Sequence, residues 1–257
     1  MRELIDSHAH YDHKRFDPDR DKLVKSLPGL GVVKIINVGC DMDSSEASIK
    51  LAEKYPFVYA TVGVHPHDAK SLDEGGFESL KNMLSHKKVV ALGEIGLDFY
   101  HNFSPPDVQK KWFKRQLALA DEFGLPVVIH SRDAAADTMA IIKESGQNKG
   151  VLHCYSGHLP MALEYIEMGF YIAIGGVVTY KNAEKTREVA AGIPLDRLVI
   201  ETDAPYLSPI RGKRNDSTNL HIIAEAIAEA RGIKKEEVAE TSSQNARKLF
   251  CIEKGVL

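Results

Sequence analysis

The stretch Val89-Val-Ala-Leu-Gly93, together with the residues that follow it, decides the fold class of this chain. Its apolar, β-branched run predicts a short buried strand. The amphipathic residues 107–123 predict a helix, and Val127-Val-Ile129 predicts a second strand. A strand, a helix and a strand in this order are typical of a βαβ unit, in which the two strands are parallel.

Turn-forming residues support the limits of this unit. Ser104-Pro-Pro-Asp107 precedes the predicted helix, and proline is tolerated in a first helical turn. Gly124-Leu-Pro126 follows the helix, with glycine at the position that usually ends one. Both ends of the longest predicted helix are therefore marked in the sequence.

The same alternation recurs along the whole chain. Eight apolar runs predict strands, and the amphipathic stretches between them predict helices. The predicted strands are residues 3–6, 33–38, 58–64, 89–93, 127–129, 151–152, 171–174 and 198–200. The predicted helices are residues 19–27, 44–55, 77–86, 107–123, 134–144, 160–168, 182–191 and 219–230, with two short helices at 235–241 and 243–250.

Eight consecutive βα units predict an α/β fold with a parallel sheet covered by helices. The count of eight favours a closed (β/α)8 TIM barrel over an open, doubly wound sheet. No GxGxxG or P-loop follows any predicted strand, which weakens the open-sheet alternative further. No linker-like or low-complexity tract divides the sequence, and barrels of about 250 residues commonly form one domain. We therefore expect residues 1–257 to form a single barrel domain.

Composition limits the class of protein. With 44% hydrophobic and 27% charged residues the chain is typical of globular proteins rather than disordered ones. The formal net charge of −3 argues against a protein that coats duplex DNA, although not against a pocket for one or two phosphates. Three widely spaced cysteines suit a reducing compartment. No apolar run reaches the length of about 18 residues needed to span a bilayer, so a cytoplasmic location without membrane contact is expected.

Polar side chains follow five of the predicted strands, where each apolar run ends. Side chains alternate along a strand, so His8 and His10 point the same way as the first strand ends. In a barrel the carboxyl ends of all strands lie at one face, where barrel enzymes have their active sites. The residues concerned are His8, His10, Glu94, His130, His153 and Asp203.

Four histidines and two carboxylates at one barrel face predict a metal site. Such polarity is costly to bury without a metal or a catalytic role, and imidazole with carboxylate suits Zn, Mn, Fe or Mg. Six donors exceed one tetrahedral site, so the pattern favours two ions bridged by one carboxylate. Each residue alone has an ordinary alternative: a histidine in a core hydrogen bond, Glu94 in an ion pair, or Asp203 as the cap of a turn.

Seven ordered motifs resemble the TatD family of metal-dependent deoxyribonucleases and related hydrolases, within the amidohydrolase superfamily. They are Asp6-Ser-His-Ala-His10, Gly63-Val-His-Pro-His67, Gly93-Glu-Ile-Gly-Leu-Asp98, His130-Ser-Arg-Asp-Ala134, His153-Cys-Tyr-Ser-Gly157, Glu201-Thr-Asp-Ala-Pro205 and Arg211-Gly-Lys-Arg-Asn215. With Asn245-Ala-Arg-Lys-Leu-Phe250 near the end of the chain, the resemblance covers nearly the whole sequence. It implies a TIM barrel with two divalent metals, Mg, Mn or Zn, and 3′-to-5′ exonuclease activity.

The resemblance also implies the ligands of each ion. One ion would be held by His8, His10, Glu94 and Asp203, and the other by Glu94, His130 and His153, with Glu94 bridging. The sequence departs from the family pattern after Asn215, where Asp216-Ser217 replaces the common Glu-Pro. This difference bears on substrate preference rather than on metal binding.

Several further residues are candidates for catalysis or substrate binding. Asp203 is expected to accept a proton from the attacking water as well as to bind metal, and Glu94 is the second catalytic carboxylate. The candidates for substrate contact are His65, Arg132, Ser156, Arg211 and Arg214, and Tyr100, Tyr155 and Tyr206 could stack a base or simply pack at the rim. For Arg132 the alternative is an ion pair with Asp133, and for the basic loop that contains Arg211 it is ordinary solvated surface.

The favoured function is a divalent-metal-dependent 3′–5′ exodeoxyribonuclease acting on single-stranded DNA ends or on another phosphoester. One alternative is an amidohydrolase-type hydrolase of a small ester, lactone or phosphoester. Many two-metal members of that superfamily bridge their ions with a carbamylated lysine, whereas the fourth-strand position here is Glu94. A lesser alternative is a non-catalytic metal- or nucleic-acid-binding protein. Nothing in the sequence indicates an obligate protein partner.

Overall fold

The computed structural model describes residues 3–252, which form two compact units. The first unit comprises the chain up to Asn37 and the chain from Cys154 onward, and the second is Val38–His153. Each unit is built from parallel strands and the helices between them. The expectation of one domain over residues 1–257 stays a prediction.

Strands and helices alternate throughout the described residues. The strands are β1 (Leu4–Ala9), β2 (Val32–Val38), β3 (Val58–Val62), β4 (Val89–Asp98), β5 (Val127–Arg132), β6 (Gly150–Leu152), β7 (Tyr171–Ile174) and β8 (Leu198–Ile200). The helices are α1 (Arg20–Ser26), α2 (Met42–Lys54), α3 (Glu74–Leu84), α4 (Pro106–Glu122), α5 (Ala135–Ser145), α6 (Leu159–Glu167), α7 (Glu184–Gly192), α8 (Leu220–Arg231) and α9 (Lys235–Leu249). Each predicted strand is present in its predicted place, and each is followed by a helix.

In the first unit the strands run in the order β7, β8, β1, β2. Strands β1 and β2 pair in parallel, as do β7 and β8. A parallel bridge between Ala9 and Ala204 joins the end of β1 to the segment that follows β8. The carboxyl ends of β1 and β8 therefore lie side by side in this unit.

In the second unit the order is β3, β4, β5, β6, and every pair is parallel. Gly96 in β4 lies opposite His130 in β5, and Ile129 lies opposite Leu152 at the end of β6. The carboxyl ends of these four strands thus share one edge. All residues of β2 and β4 are buried, as in parallel sheets with both faces covered.

Three strands are longer than their apolar runs predicted. β1 continues to Ala9, β4 to Asp98 and β5 to Arg132. The pairing of β4 with β5 continues through Gly96–His130 to Asp98–Arg132, so polar residues take part in the sheet. The prediction that these strands end with the apolar run was wrong, because hydrogen bonding between strands does not require apolar side chains.

The last helical segment is also different from the prediction. The sequence predicted helices at 235–241 and 243–250, but α9 is one helix over Lys235–Leu249. Serines favour helix ends because their hydroxyls compete for backbone groups. Here the hydroxyl of Ser242 donates to the carbonyl of Ala239 and that of Ser243 donates to the carbonyl of Glu3, and the helix continues.

Neither unit contains a helix, among residues 3–252, of the length and apolarity required to cross a membrane.

Asn245 ties α9 to the entry of β8. Its side chain is 1% exposed, and its Nδ2 donates to the carbonyls of Leu195 and Leu198 at 2.9 and 2.7 Å. One amide group therefore satisfies two backbone carbonyls of the segment that begins the last strand.

Asn245→Ala is expected to lower the free energy of unfolding by about 2 kcal/mol or more, because two carbonyls lose their donor. Gln244→Ala removes an exposed amide from the same helix, and its effect should stay within about 0.5 kcal/mol. Urea unfolding of both variants measures the difference. Equal stability of the two variants would contradict the role given to Asn245.

Candidate metal centre

The first donor group lies in the first unit and consists of His8, His10 and Asp203. The Nε2 atoms of His8 and His10 are 3.1 Å apart. Oδ1 of Asp203 lies 3.3 Å from Nε2 of His10 and 3.8 Å from Nε2 of His8. Two imidazole nitrogens and a carboxylate oxygen thus converge on one small volume, and this donor chemistry fits a divalent cation.

The backbone holds Asp203 beside the two histidines. The N–H of Asp203 donates to the carbonyl of His8 at 2.9 Å, and the N–H of His10 donates to the carbonyl of Ala204 at 2.7 Å. Asp203 itself has a left-handed φ of 56°, which turns the chain directly after β8. Its side chain remains 14% exposed, so water can reach the carboxylate.

A buried carboxylate, Asp6, fixes this part of the first unit. It accepts hydrogen bonds from the N–H and hydroxyl of Thr202, at 2.9 and 2.6 Å, and from the hydroxyl of Ser217 at 2.6 Å. The N–H of His8 also donates to it, at 3.3 Å. Asp6 and His8 both lie in β1, and Thr202 directly precedes Asp203. The hydrogen bonds of Asp6 with Thr202 therefore hold Asp203 close to β1.

The second donor group lies in the second unit and surrounds the carboxylate of Glu94, which is 4% exposed. Its Oε1 is 3.0 Å from Nδ1 of His130 and 3.4 Å from Nε2 of both His65 and His153. The donor atoms of His65, Glu94 and His130 lie close enough together to hold one ion. The sequence predicted His130 and His153 as ligands but assigned His65 to substrate.

The electrostatics of this group combine one buried carboxylate with three neighbouring imidazoles. Burial alone would raise the pKa of Glu94, but the neighbouring His153 and His65 and the hydrogen bond with His130 outweigh it, so the pKa of Glu94 lies well below its usual value. Burial lowers the pKa of His65 to about 4. At neutral pH the group therefore offers an ionised carboxylate and, in His65, an uncharged imidazole, both of which are good metal ligands. Burial by itself would lower the pKa of His130, but its hydrogen bonds with Asp98 and Glu94 raise it above its usual value.

Asp98 orients the imidazole of His130 by contacting Nε2, the ring nitrogen that does not contact Glu94. Its Oδ2 lies 3.1 Å from Nε2 of His130 and 2.9 Å from Nε2 of His67, while its Oδ1 accepts from the N–H groups of Tyr100 and His101. Burial by itself would raise the pKa of Asp98, but the hydrogen bonds from His130, His101 and His67 together hold it below its usual value. Since His130 uses its other nitrogen toward Glu94, Asp98 sets the ring orientation that a ligand requires.

Gly96 allows β4 to pass close to the backbone of His130. Its φ is +140°, and an added Cβ would collide with the carbonyl oxygen of His130. A residue with a side chain would strain the backbone here and push the two strands apart. The glycine between Glu94 and Asp98 therefore permits both carboxylates to contact one histidine.

The predicted substrate residues occupy different surroundings. The guanidinium of Arg132 lies 4.0 Å from the ring centroid of Tyr100 and donates to Nε2 of His101 at 3.1 Å, rather than pairing with Asp133. Ser156 is exposed, three residues before α6 begins. Its predicted contact with a substrate anion stays a prediction.

The basic loop after β8 divides into two parts. Arg211 is exposed. Arg214 instead forms two hydrogen bonds of 2.7 Å with the carboxylate of Asp19 and lies over the ring of Phe16. Its guanidinium is engaged within the first unit, so of the two arginines Arg211 is the better placed to meet a substrate.

The three candidate tyrosines also differ. Tyr100 is 59% exposed and Tyr206 is 45% exposed, so both rings are accessible for stacking. Tyr155 is 9% exposed, and its hydroxyl donates to the carbonyl of His158 at 2.9 Å. Tyr155 is therefore a packing residue, which was the alternative that the sequence left open.

Two buried acidic residues beside the donor groups were not assigned a role from the sequence. In the sequence Asp98 is only the last residue of one motif and Glu201 only the first residue of another. Glu201 is 1% exposed, and its Oε1 accepts from the backbone N–H of Cys154 at 2.7 Å, so it fixes the residue after His153. The one sequence signal for both is that an acidic residue follows a run of buried apolar ones.

Comparison with known proteins shows which family the sequence of this chain matches. Residues 5–251 match the family described as TatD related DNase. The chain is 42% identical to YabD of Bacillus subtilis, an uncharacterized metal-dependent hydrolase, over 97% of this chain and 99% of that protein. It is 35% identical to the 3′-5′ ssDNA/RNA exonuclease TatD of Cronobacter sakazakii, over 96% of this chain and 97% of that one.

A solved structure agrees with the fold. The crystal structure of YJJV, a TatD homolog from Escherichia coli, matches with a TM-score of 0.92 at 32% identity and covers 97% of this chain and 98% of that chain. The predicted α/β class and TIM-barrel fold are confirmed by this match, and the family match confirms the resemblance read from the motifs.

Asp98→Asn is expected to weaken metal binding by about 10–100-fold, because His130 loses the carboxylate that fixes its ring. Titration of the metal-free protein with Mn²⁺ or Zn²⁺, followed by calorimetry, measures the affinity. Asp137→Asn is the matched control, since Asp137 pairs only with Lys110 among the described residues. If both variants bind metal as the parent does, Asp98 has no part in the centre.

Proposed function

Because the chain belongs to the TatD related DNase family of metal-dependent hydrolases, we propose that it hydrolyses phosphodiester bonds at the 3′ ends of single-stranded DNA. The observation that carries the proposal is the buried Glu94 carboxylate, whose Oε1 lies within 3.4 Å of nitrogens from three histidines. A relative that is 35% identical over nearly the whole chain is named a 3′-5′ ssDNA/RNA exonuclease.

We assign two divalent ions, Mg, Mn or Zn, to the two donor groups. His8, His10, Glu94 and Asp203 would hold one ion, and Glu94, His130 and His153 would hold the other. The convergence of His8, His10 and Asp203 within the first unit supports the first set. The contacts of His130 and His153 with Glu94 support the second. A mixed set of imidazole and carboxylate donors, with no thiolate cage, is typical of catalytic rather than closed structural sites.

The ions, when bound, would lower the pKa of water and offset the negative charge that develops on the phosphate. We assign to Asp203 the role of accepting a proton from the attacking water, because its carboxylate is partly exposed and its Oδ1 lies 3.3 Å from Nε2 of the proposed ligand His10. Glu94 is assigned the role of an ionised anchor, since its low pKa keeps it charged at neutral pH. His65 is kept as the substrate candidate of the second group; its Nε2 lies 3.4 Å from Glu94 and its Nδ1 accepts from the N–H of His67.

Two basic groups are assigned to the phosphates of the strand, Arg132 in the second unit and Arg211 in the first. Both are exposed, and arginine binds phosphate through paired N–H donors. Arg214 is given a supporting part, because its pairing with Asp19 holds the end of the Arg211 loop in place.

Glu94→Gln is expected to reduce trimming of a 5′-labelled single-stranded oligonucleotide by about 100-fold or more, because the centre loses its anionic anchor. The parent should shorten the strand from its 3′ end, stop when chelator is added, and recover with Mg²⁺, Mn²⁺ or Zn²⁺. Glu122→Gln, which changes an exposed carboxylate paired with Lys81, is the matched control.

The same experiment separates the alternatives. If the parent binds metal but leaves oligonucleotides intact, a panel of small esters, lactones and phosphoesters becomes the substrate test. If it binds metal and hydrolyses none of these compounds, the protein is a non-catalytic binding protein and the proposed function is wrong.

Asp203→Asn is expected to lower kcat by about 100-fold or more while the protein keeps part of its metal, because His8 and His10 remain as ligands. Metal content by mass spectrometry and turnover on the same oligonucleotide are measured together. Asp121→Asn, at an exposed position of α4, is the control. Full turnover in Asp203→Asn would remove this residue from the proton-accepting role.

A further inference from the structure

The loop between β4 and α4 exposes a compact group of rings, Tyr100, His101 and Phe103, which we call the aromatic shelf. Tyr100 is 59% exposed and Phe103 is 56% exposed. Single exposed apolar side chains are common at protein surfaces, but two in one short loop form a small surface patch.

The rings of the shelf are ordered by contacts with one another. His101 stacks with Phe103, with centroids 5.2 Å apart and planes inclined by 15°. Tyr100 meets His101 edge to face at 4.8 Å, and His67 meets Phe103 in the same way at 4.8 Å. Rings that are already fixed lose little conformational entropy when a ligand binds.

The shelf is joined to the candidate metal centre through Asp98. Oδ1 of Asp98 accepts from the N–H groups of Tyr100 and His101, at 3.0 and 2.9 Å. Oδ2 of the same carboxylate contacts Nε2 of His130, whose Nδ1 contacts Glu94. One side chain therefore positions both a proposed metal ligand and the exposed rings.

A positive charge lies against the shelf. The guanidinium of Arg132 lies 4.0 Å from the ring centroid of Tyr100, and one N–H donates to Nε2 of His101. Arginine has five N–H donors, so this single bond leaves others for a phosphate. Exposed rings beside a cation are the combination by which proteins bind the base and the phosphate of a single strand.

We propose that the aromatic shelf is a nucleotide subsite: a base flanking the scissile phosphodiester stacks on one of the two exposed rings, Tyr100 or Phe103, whose planes are steeply inclined to each other, and Arg132 contacts the adjoining phosphate. This inference rests on the proposed function and names the part of the substrate that the chain recognises. A protein partner fits the observations less well, because a stable protein interface buries roughly 800 Å² on each side and the shelf is three rings of one loop.

The shelf is tested with the metal-loaded protein and two sets of changes. The variants are Tyr100→Ala, Phe103→Ala and their double variant, with Tyr100→Phe and Phe103→Tyr as conservative replacements. The control is Leu30→Ala, which removes a side chain that is 51% exposed in the first unit. The substrates are an 8-mer single strand and the same strand with an abasic analogue at the terminal or the penultimate position.

Loss of the rings is expected to raise KM about tenfold or more, the scale of one stacked base, with the effect in KM rather than kcat because stacking is equal in ground and transition states. The parent should cleave one abasic strand about tenfold less efficiently than the intact strand. The double variant should cleave the abasic and the intact strand with equal efficiency, and the conservative variants should prefer the intact strand as the parent does. Equal abasic discrimination in the parent and the double variant would overturn the proposal.

Binding separates this proposal from the proposed function. A fluorescein-labelled 8-mer with non-cleavable phosphorothioate linkages at its 3′ end is titrated into each protein, and anisotropy gives Kd. If no strand is hydrolysed but binding weakens about tenfold in the double variant, the shelf stands and the proposed activity fails. If strands are hydrolysed but Kd and KM do not change in the double variant, the activity stands and the shelf is wrong.

Discussion

A carboxylate that is nearly excluded from water, Glu94, is the constraint on which the second unit depends. Burying an ionised group is costly unless other charges or hydrogen bonds compensate. Here the ends of β3, β5 and β6 bring His65, His130 and His153 to one oxygen of Glu94. The parallel pairing of β3 to β6 therefore has a chemical result, because it places three imidazoles around one buried anion.

Each unit also contains a buried carboxylate that supports the proposed ligands without being one of them. In the second unit Asp98 orients His130 and binds the loop that follows β4. In the first unit Asp6 binds Thr202 and Ser217 and so holds the segment that contains Asp203. Both carboxylates are 1% exposed or less, and their hydrogen bonds extend to residues distant in sequence. Changes at these positions act on the centre through geometry rather than through direct loss of a metal donor.

Burial separates the parts of the candidate site by role. His8, His65, Glu94 and His153 are buried, as suits groups that must be held rigidly. Tyr100, Phe103 and Arg132 are exposed, as suits groups that meet a flexible strand. Arg214, which the sequence grouped with Arg211, is instead paired with Asp19. Of the two arginines in that loop, only Arg211 is therefore assigned to the substrate.

The sequence by itself determined the number, order and parallel character of the strands, because buried strands and amphipathic helices leave local patterns in the chain. It also predicted the six candidate ligands, since a histidine or acidic residue close to the end of an apolar run is visible without a structure. Tertiary structure decided the features that depend on partners far away in the chain. β4 continues to Asp98 because it pairs with β5, α9 is one helix where the sequence predicted two, and Arg214 binds Asp19, 195 residues away. Likewise, only the three-dimensional arrangement brought His65 to Glu94 and gave Asp98 its two histidines, because hydrogen-bond partners are chosen by proximity in space, which no local pattern encodes.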